Sequence, residues 1–109
     1  MQTISIGGVG DGTMTVMLRG EVDFTNAAPL VDAVRGAVAE RCPTAVLVDI
    51  VEVTFLDSSG MSMLVHAMRA AREVGAEFRV ERPSDRVFDQ LRLAGLLEAF
   101  GLGIASDDG

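Results

Sequence analysis

Asp57-Ser58-Ser59-Gly60 gathers a carboxylate, two hydroxyls and a residue with no side chain into four consecutive positions. It follows the longest apolar, strand-like run, Ala45 to Leu56, and precedes an amphipathic helix expected over Met61 to Val74. The four residues therefore fall where a buried strand hands over to a helix. A helix N-terminus leaves backbone N–H groups free and carries partial positive charge, so it favours an anion. A serine there can cap the helix or carry a phosphate. Capping needs only one serine. The second serine, Asp57 and Gly60 point further, to a contact surface with a modifiable hydroxyl. Gly60 costs up to ~1 kcal/mol at a helix start relative to alanine. Its lack of a side chain is read as opening the backbone to close approach by another molecule.

Other reactive residues are sparse. His66 is the only histidine and Cys42 the only cysteine, and neither has a partner at metal-ligand spacing. Cys42 reads as a small buried or semi-buried residue. In a helix His66 lies about two turns, roughly 10 Å, beyond Ser58 and Ser59. That is too far for a triad, there is no G-x-S-x-G, and His66 reads as solvent-facing. Asp23, Asp49 and Asp57 each fall near a strand end, where α/β folds gather functional groups. Taken singly they read as a turn residue, a sheet-edge or hydrogen-bonded carboxylate, and a cap or turn residue. No cofactor and no metal is expected.

Composition narrows the function further. The chain has 109 residues, enough for one domain over 1–109, with a frayed tail expected at 106–109. It is 49% hydrophobic and 23% charged, as in a globular protein. No apolar run approaches the ~18 residues that span a bilayer, and there is no signal-peptide pattern, so no membrane association is expected. A lone cysteine fits a cytoplasmic location. A net charge of −7 argues against nucleic acid. All nine positive charges are arginine. The absence of lysine removes P-loop phosphate binding, Schiff bases and the lysine of response-regulator receivers.

These residues need a scaffold. Thr3 to Ile6 is the first expected strand, Gly7 to Gly12 a hairpin turn, and Thr13 to Leu18 the second strand. Gly20 to Asn26 is a connection ending in capping residues. A helix is predicted from about Ala27 to Glu40, with Pro29 in its first turn and Cys42-Pro43 ending it. Ala45 to Ile50 reads as a central strand, and Val51 to Leu56 carries the chain to the serines. In the helix after Gly60, Met61, Leu64, Val65 and Met68 form one stripe; Met63, Ala67, Ala70 and Val74 form another. One stripe is read as core and the other as a surface free to meet a partner. Glu77 to Val80 is a short strand. Ser84 caps a helix with Val87, Phe88, Leu91 and Ala94 inward. Leu96 to Ile104 reads as a last strand. The order β-β-α-β-α-β-α-(β) gives an α/β fold with a mixed sheet.

At these positions the chain resembles the anti-sigma-factor antagonist family, the STAS domains of bacteria. The resembling stretches are Gly20-Glu21-Val22-Asp23, Ala45 to Gly60, Gly75-Ala76-Glu77-Phe78, and Val87 to Leu96. They span nearly the whole chain in the family's order. The resemblance implies a sheet of four to five strands with crossover helices mainly on one face. It implies a protein that is not an enzyme. The unphosphorylated form binds an anti-sigma factor that is also a serine kinase, and so frees the sigma factor. Phosphorylation of Ser58 ends binding, and a PP2C-type phosphatase restores it. Asp23 matches an acidic contact position, and Asp57, Ser59, Gly60, Met61 and Ser62 complete the implied partner surface. Met61-Ser62 stands where the family often has leucine and glycine. The competing readings are a STAS scaffold module in a larger sensory complex, a serine hydrolase, and a small-molecule site at the strand ends.

Overall fold

The computed structural model describes residues 3–9 and 11–102. Strands β1 (Ile4–Val9) and β2 (Thr13–Val22) form a hairpin, followed by helix α1 (Ala27–Arg41). Strand β3 (Ala45–Leu56), helix α2 (Ser58–Glu73), strand β4 (Glu77–Glu81) and helix α3 (Asp85–Leu93) complete the order. The sheet runs β1-β2-β3-β4. β1 and β2 are antiparallel, whereas β2–β3 and β3–β4 are parallel. Each parallel step needs a crossover helix, supplied by α1 and α2.

Alternation along the strands selects the helix-covered face. Met14, Val16 and Leu18 of β2 are fully buried, as are Val46, Val48 and Ile50 of β3 and Val80 of β4. They join Leu30, Val34 and Val38 of α1 and Leu64, Ala67 and Ala71 of α2 in one core. Burying each such large aliphatic side chain contributes about 1.5–3 kcal/mol. Thr13, Thr15, Met17 and Leu47 alternate onto the reverse face and are half-buried. Helix α3 adds Val87 and Leu91 to the core.

Several expectations are corrected. β1 extends to Val9, so Gly7 and Gly8 are strand residues rather than turn residues. The pairing shifts register between Ile6 and Val9, and glycine tolerates that irregularity. β2 continues beyond Leu18 to Val22, because Gly20 adopts φ 75° at a register shift against β3. Helix α2 begins at Ser58, three residues before the expected start. Its two stripes merge into one buried face: Met63, Leu64, Ala67, Met68, Ala70 and Ala71 are all buried. Val74 is exposed, while Met61 and Val65 are half-buried at the margin. In α3 only Val87 and Leu91 are buried; Ala94 is exposed and caps the helix. Leu97 to Gly101 forms turns in place of the expected last strand, with Phe100 buried against Phe78 and its carbonyl accepting the Val80 N–H at 2.9 Å. The expected strand residues beyond Leu102, and the tail at 106–109, lie outside the described residues. Cys42 is exposed, not buried, because it terminates α1 in the left-handed conformation at φ 46°.

Candidate functional site

The C-terminal ends of β2 and β3 lie side by side, Val22 opposite Leu56. The β2–α1 and β3–α2 connections therefore emerge together. This is where parallel α/β sheets place their sites.

Asp57 is the N-cap of α2, with extended backbone and a side chain that accepts the Gly60 N–H on Oδ1 at 2.9 Å. Its second oxygen, Oδ2, accepts the Phe24 N–H at 3.1 Å. One carboxylate thus caps the helix and ties the β2–α1 turn to it. Of the capping readings offered by the sequence, that of Asp57 holds and that of a serine does not. Ser58 and Ser59 occupy the first two helical positions, and Ser58 is exposed.

Gly60 is buried, and the surface it touches is the chain's own. A Cβ at this position would lie 2.2 Å from the Val22 carbonyl oxygen and 3.0 Å from Leu56 Cδ2. The glycine therefore lets α2 start hard against the end of β2. The expectation that it opens the backbone to another molecule is corrected accordingly.

Asp23 shapes the neighbouring turn. Its Oδ1 accepts the Thr25 hydroxyl at 2.5 Å and the Thr25 N–H at 2.9 Å. The Thr25 hydroxyl, and then its N–H, hold the Asp23 carboxyl below the usual carboxylate range. Asn26 turns back on the same loop: Oδ1 accepts the Asp23 N–H at 3.0 Å, and Nδ2 donates to the Glu21 carbonyl at 2.9 Å. The loop so fixed displays Phe24, which is 79% exposed. Sequence reasoning missed Phe24; its signal was a lone aromatic in a connection beside a strand end.

Ser62 is exposed one turn after Ser58, and Met61 is half-buried beside it. Ser59, Ser62 and His66 line a groove of about 350 Å³ between α1 and α2, faced by Asp32 and Arg35. His66 is exposed, as expected. Asp49 stands apart from the serines: it is 7% exposed and paired with Arg82 at 2.5 Å, and its Oδ1 also accepts the Val51 N–H at 3.1 Å. The hydrogen bond from Arg82 pulls the Asp49 carboxyl below its ordinary value against the opposing effect of burial. No cluster of three or more metal-ligating side chains occurs among the described residues.

Family comparison decides the assignment. The family model described as STAS domain matches residues 6–107. The chain belongs to the STAS domain family. Among solved structures, this STAS domain is similar to an anti-sigma factor antagonist from Mycobacterium paratuberculosis, at 29% identity and a TM-score of 0.71, covering 90% of this chain and 81% of that one. It is also similar to a sulfate transporter family protein from Wolinella succinogenes, at 25% identity and a TM-score of 0.72, covering 89% and 76%. The Bacillus cell fate determinant SpoIIAA in its phosphorylated form shares the fold, at 19% identity and a TM-score of 0.69, covering 96% and 91%. The four-stranded mixed sheet and three helices of this STAS domain match the fold of unphosphorylated SpoIIAA.

Proposed function

We propose that this STAS domain is an anti-sigma-factor antagonist switched by phosphorylation of Ser58. One observation carries the reading. Asp57 does the capping, so the exposed Ser58 hydroxyl at the first position of α2 is not needed for it. A phosphate there would sit against a helix N-terminus that favours it, so the fold need not rearrange. The similarity to an antagonist from Mycobacterium paratuberculosis and to SpoIIAA in its phosphorylated form supports the same role.

In this scheme the unphosphorylated protein binds an anti-sigma factor that is also a serine kinase. Binding frees the sigma factor. The protein is a regulatory substrate rather than an enzyme, and a PP2C-type phosphatase resets it in the cytoplasm. No described helix is long and apolar enough to cross a membrane. Asp23, Ser59, Met61 and Ser62 form the contact surface around Ser58, with Phe24 added from the loop beside them. Asp57 and Gly60 hold that surface from within. Phosphorylation adds about −1.5 to −2 charge. Facing a partner carboxylate ~6 Å away at an effective dielectric of ~20, each added charge costs about 3 kcal/mol. A single added charge thus corresponds to roughly 100-fold in affinity.

The test is incubation with ATP and each anti-sigma factor kinase encoded by the source genome, followed by peptide mapping. Phosphate is expected on Ser58 and on no residue of Ser58→Ala. Phosphate elsewhere, or none with any of these kinases, would overturn the reading. The similarity to a sulfate transporter family protein favours a second reading, a STAS scaffold module without a used phosphosite. Unchanged partner affinity on phosphorylation would select it.

A further inference from the structure

On the side away from β2, the last residue of β3 is held by a side chain rather than by a strand. β4 pairs with β3 only from Ala45 to Asp49, so the rest of β3 has no β4 partner. Leu56 pairs with Val22, and the next N–H, that of Asp57, donates to the Val22 carbonyl. In a parallel ladder the N–H and C=O of Leu56 itself must then point away from β2. Both are met by Gln90 of α3. The Leu56 N–H donates to Gln90 Oε1 at 3.3 Å, and Gln90 Nε2 donates to the Leu56 carbonyl at 3.1 Å. A primary amide reproduces the donor and acceptor of a strand residue. The opposite amide orientation would set donor against donor and acceptor against acceptor. A second contact binds the same two elements: one turn earlier in α3, the Arg86 guanidinium lies 5.4 Å from the centre of the Phe55 ring.

We infer that Gln90 is a positioning residue for Ser58. It holds Leu56 in the place a longer β4 would have held it. Leu56 leads directly into Asp57, whose two oxygens fix the start of α2 and the Phe24 turn. Loss of the amide frees the peptide before the cap, and the cap loosens with it. The functional part of the inference rests on the proposed role of Ser58; the geometric part does not.

Amide hydrogen exchange on nitrogen-15-labelled full-length protein tests the geometric part. In Gln90→Leu, protection at Leu56 and at the capped Gly60 N–H should fall about fivefold to tenfold, the scale of one neutral hydrogen bond. Protection at Val34, in the core of α1, should hold. Gln90→Glu supplies a readout that a purely structural role would not move. Its ionised carboxylate accepts from the Leu56 N–H but opposes the Leu56 carbonyl. Once protonated it donates to that carbonyl again. Protection at Gly60 in Gln90→Glu, taken as the ratio to wild type at each pH so that the Asp57 cap and the acid loss of stability are common to both, should therefore recover as pH falls through the pKa of the introduced carboxyl. Unchanged Gly60 protection in Gln90→Leu, or no recovery in Gln90→Glu, overturns the inference. With a kinase that modifies the wild-type protein, kcat/KM for Gln90→Leu should drop by a similar factor; an undiminished value overturns the positioning role. If no kinase modifies the wild type, the proposed function fails and the exchange data alone decide Gln90.

Discussion

Gly60 faces the carbonyl oxygen of Val22 so closely that a single added methyl would sit 2.2 Å from it. This contact joins the start of α2 to the end of β2, and it is made between main chains. Neither can move aside as a flexible side chain could. Gly60→Ala should therefore destabilise the protein by about 2–4 kcal/mol, more than the up to ~1 kcal/mol that alanine gains in a helix. Urea denaturation measures this directly. A neutral or stabilising effect would show that α2 shifts freely at its start.

Asp57 links two loops through one carboxylate. Asp57→Ala removes the cap on Gly60 and the acceptor for the Phe24 N–H, and should cost about 1–2 kcal/mol. Asp57→Asn keeps a capping oxygen but turns its amide nitrogen toward the Phe24 N–H. It should retain most of the stability while releasing the turn. The amide resonances of Phe24 and Thr25 should then shift, with those of the α1 core unmoved. Identical spectra for Asp57→Asn and wild type would remove the link between the loops.

The Asp49–Arg82 pair sets an acid limb on stability. Its folded carboxyl pKa lies below the ordinary 3.8, chiefly through the hydrogen bond from Arg82. A depressed pKa contributes stability that is fully present above the unfolded value. It is lost as pH falls through the folded value. Asp23 acts in the same direction through Thr25. Asp49→Asn should flatten the fall in stability below pH 3.8, as measured by thermal melts across the acid range. An acid limb as steep as that of the wild type would place the titrating groups elsewhere.

Cys42 ends α1 at φ 46°, its N–H donating to the Val38 carbonyl at 2.9 Å. A residue with a Cβ is strained in this conformation, whereas glycine is not. Cys42→Gly should raise stability by about 0.5–1 kcal/mol. A lower melting temperature would mean that the Sγ contact to the Ala39 carbonyl, at 3.5 Å, outweighs the strain.

The sequence disclosed the sheet and the serine motif because both rest on local patterns. Met14, Val16 and Leu18 alternate, and Ala45 to Leu56 forms one apolar run, so strand faces were readable. The strand-to-helix junction at Asp57 to Gly60 follows from small residues between two periodic segments. Long-range relationships were not readable. Nothing near Gly60 reveals that Val22 lies against it, and nothing near Gln90 reveals that it completes β3. Gly20 reads as the start of a loop, and only pairing with a long β3 keeps it within a strand. The residues after Gly95 are apolar enough to suggest a strand, yet they turn to bury Phe100 beside β4.

Affinity for the anti-sigma factor, compared between unmodified protein and protein carrying phosphoserine at position 58, bears most directly on the proposed switch. Site-specific phosphoserine incorporation makes the modified form without a kinase, and titration calorimetry measures both. Binding should weaken by at least roughly 100-fold on phosphorylation, the effect of a single added charge, with the helical content of the protein unchanged. Equal affinities for the two forms would contradict a switch at Ser58.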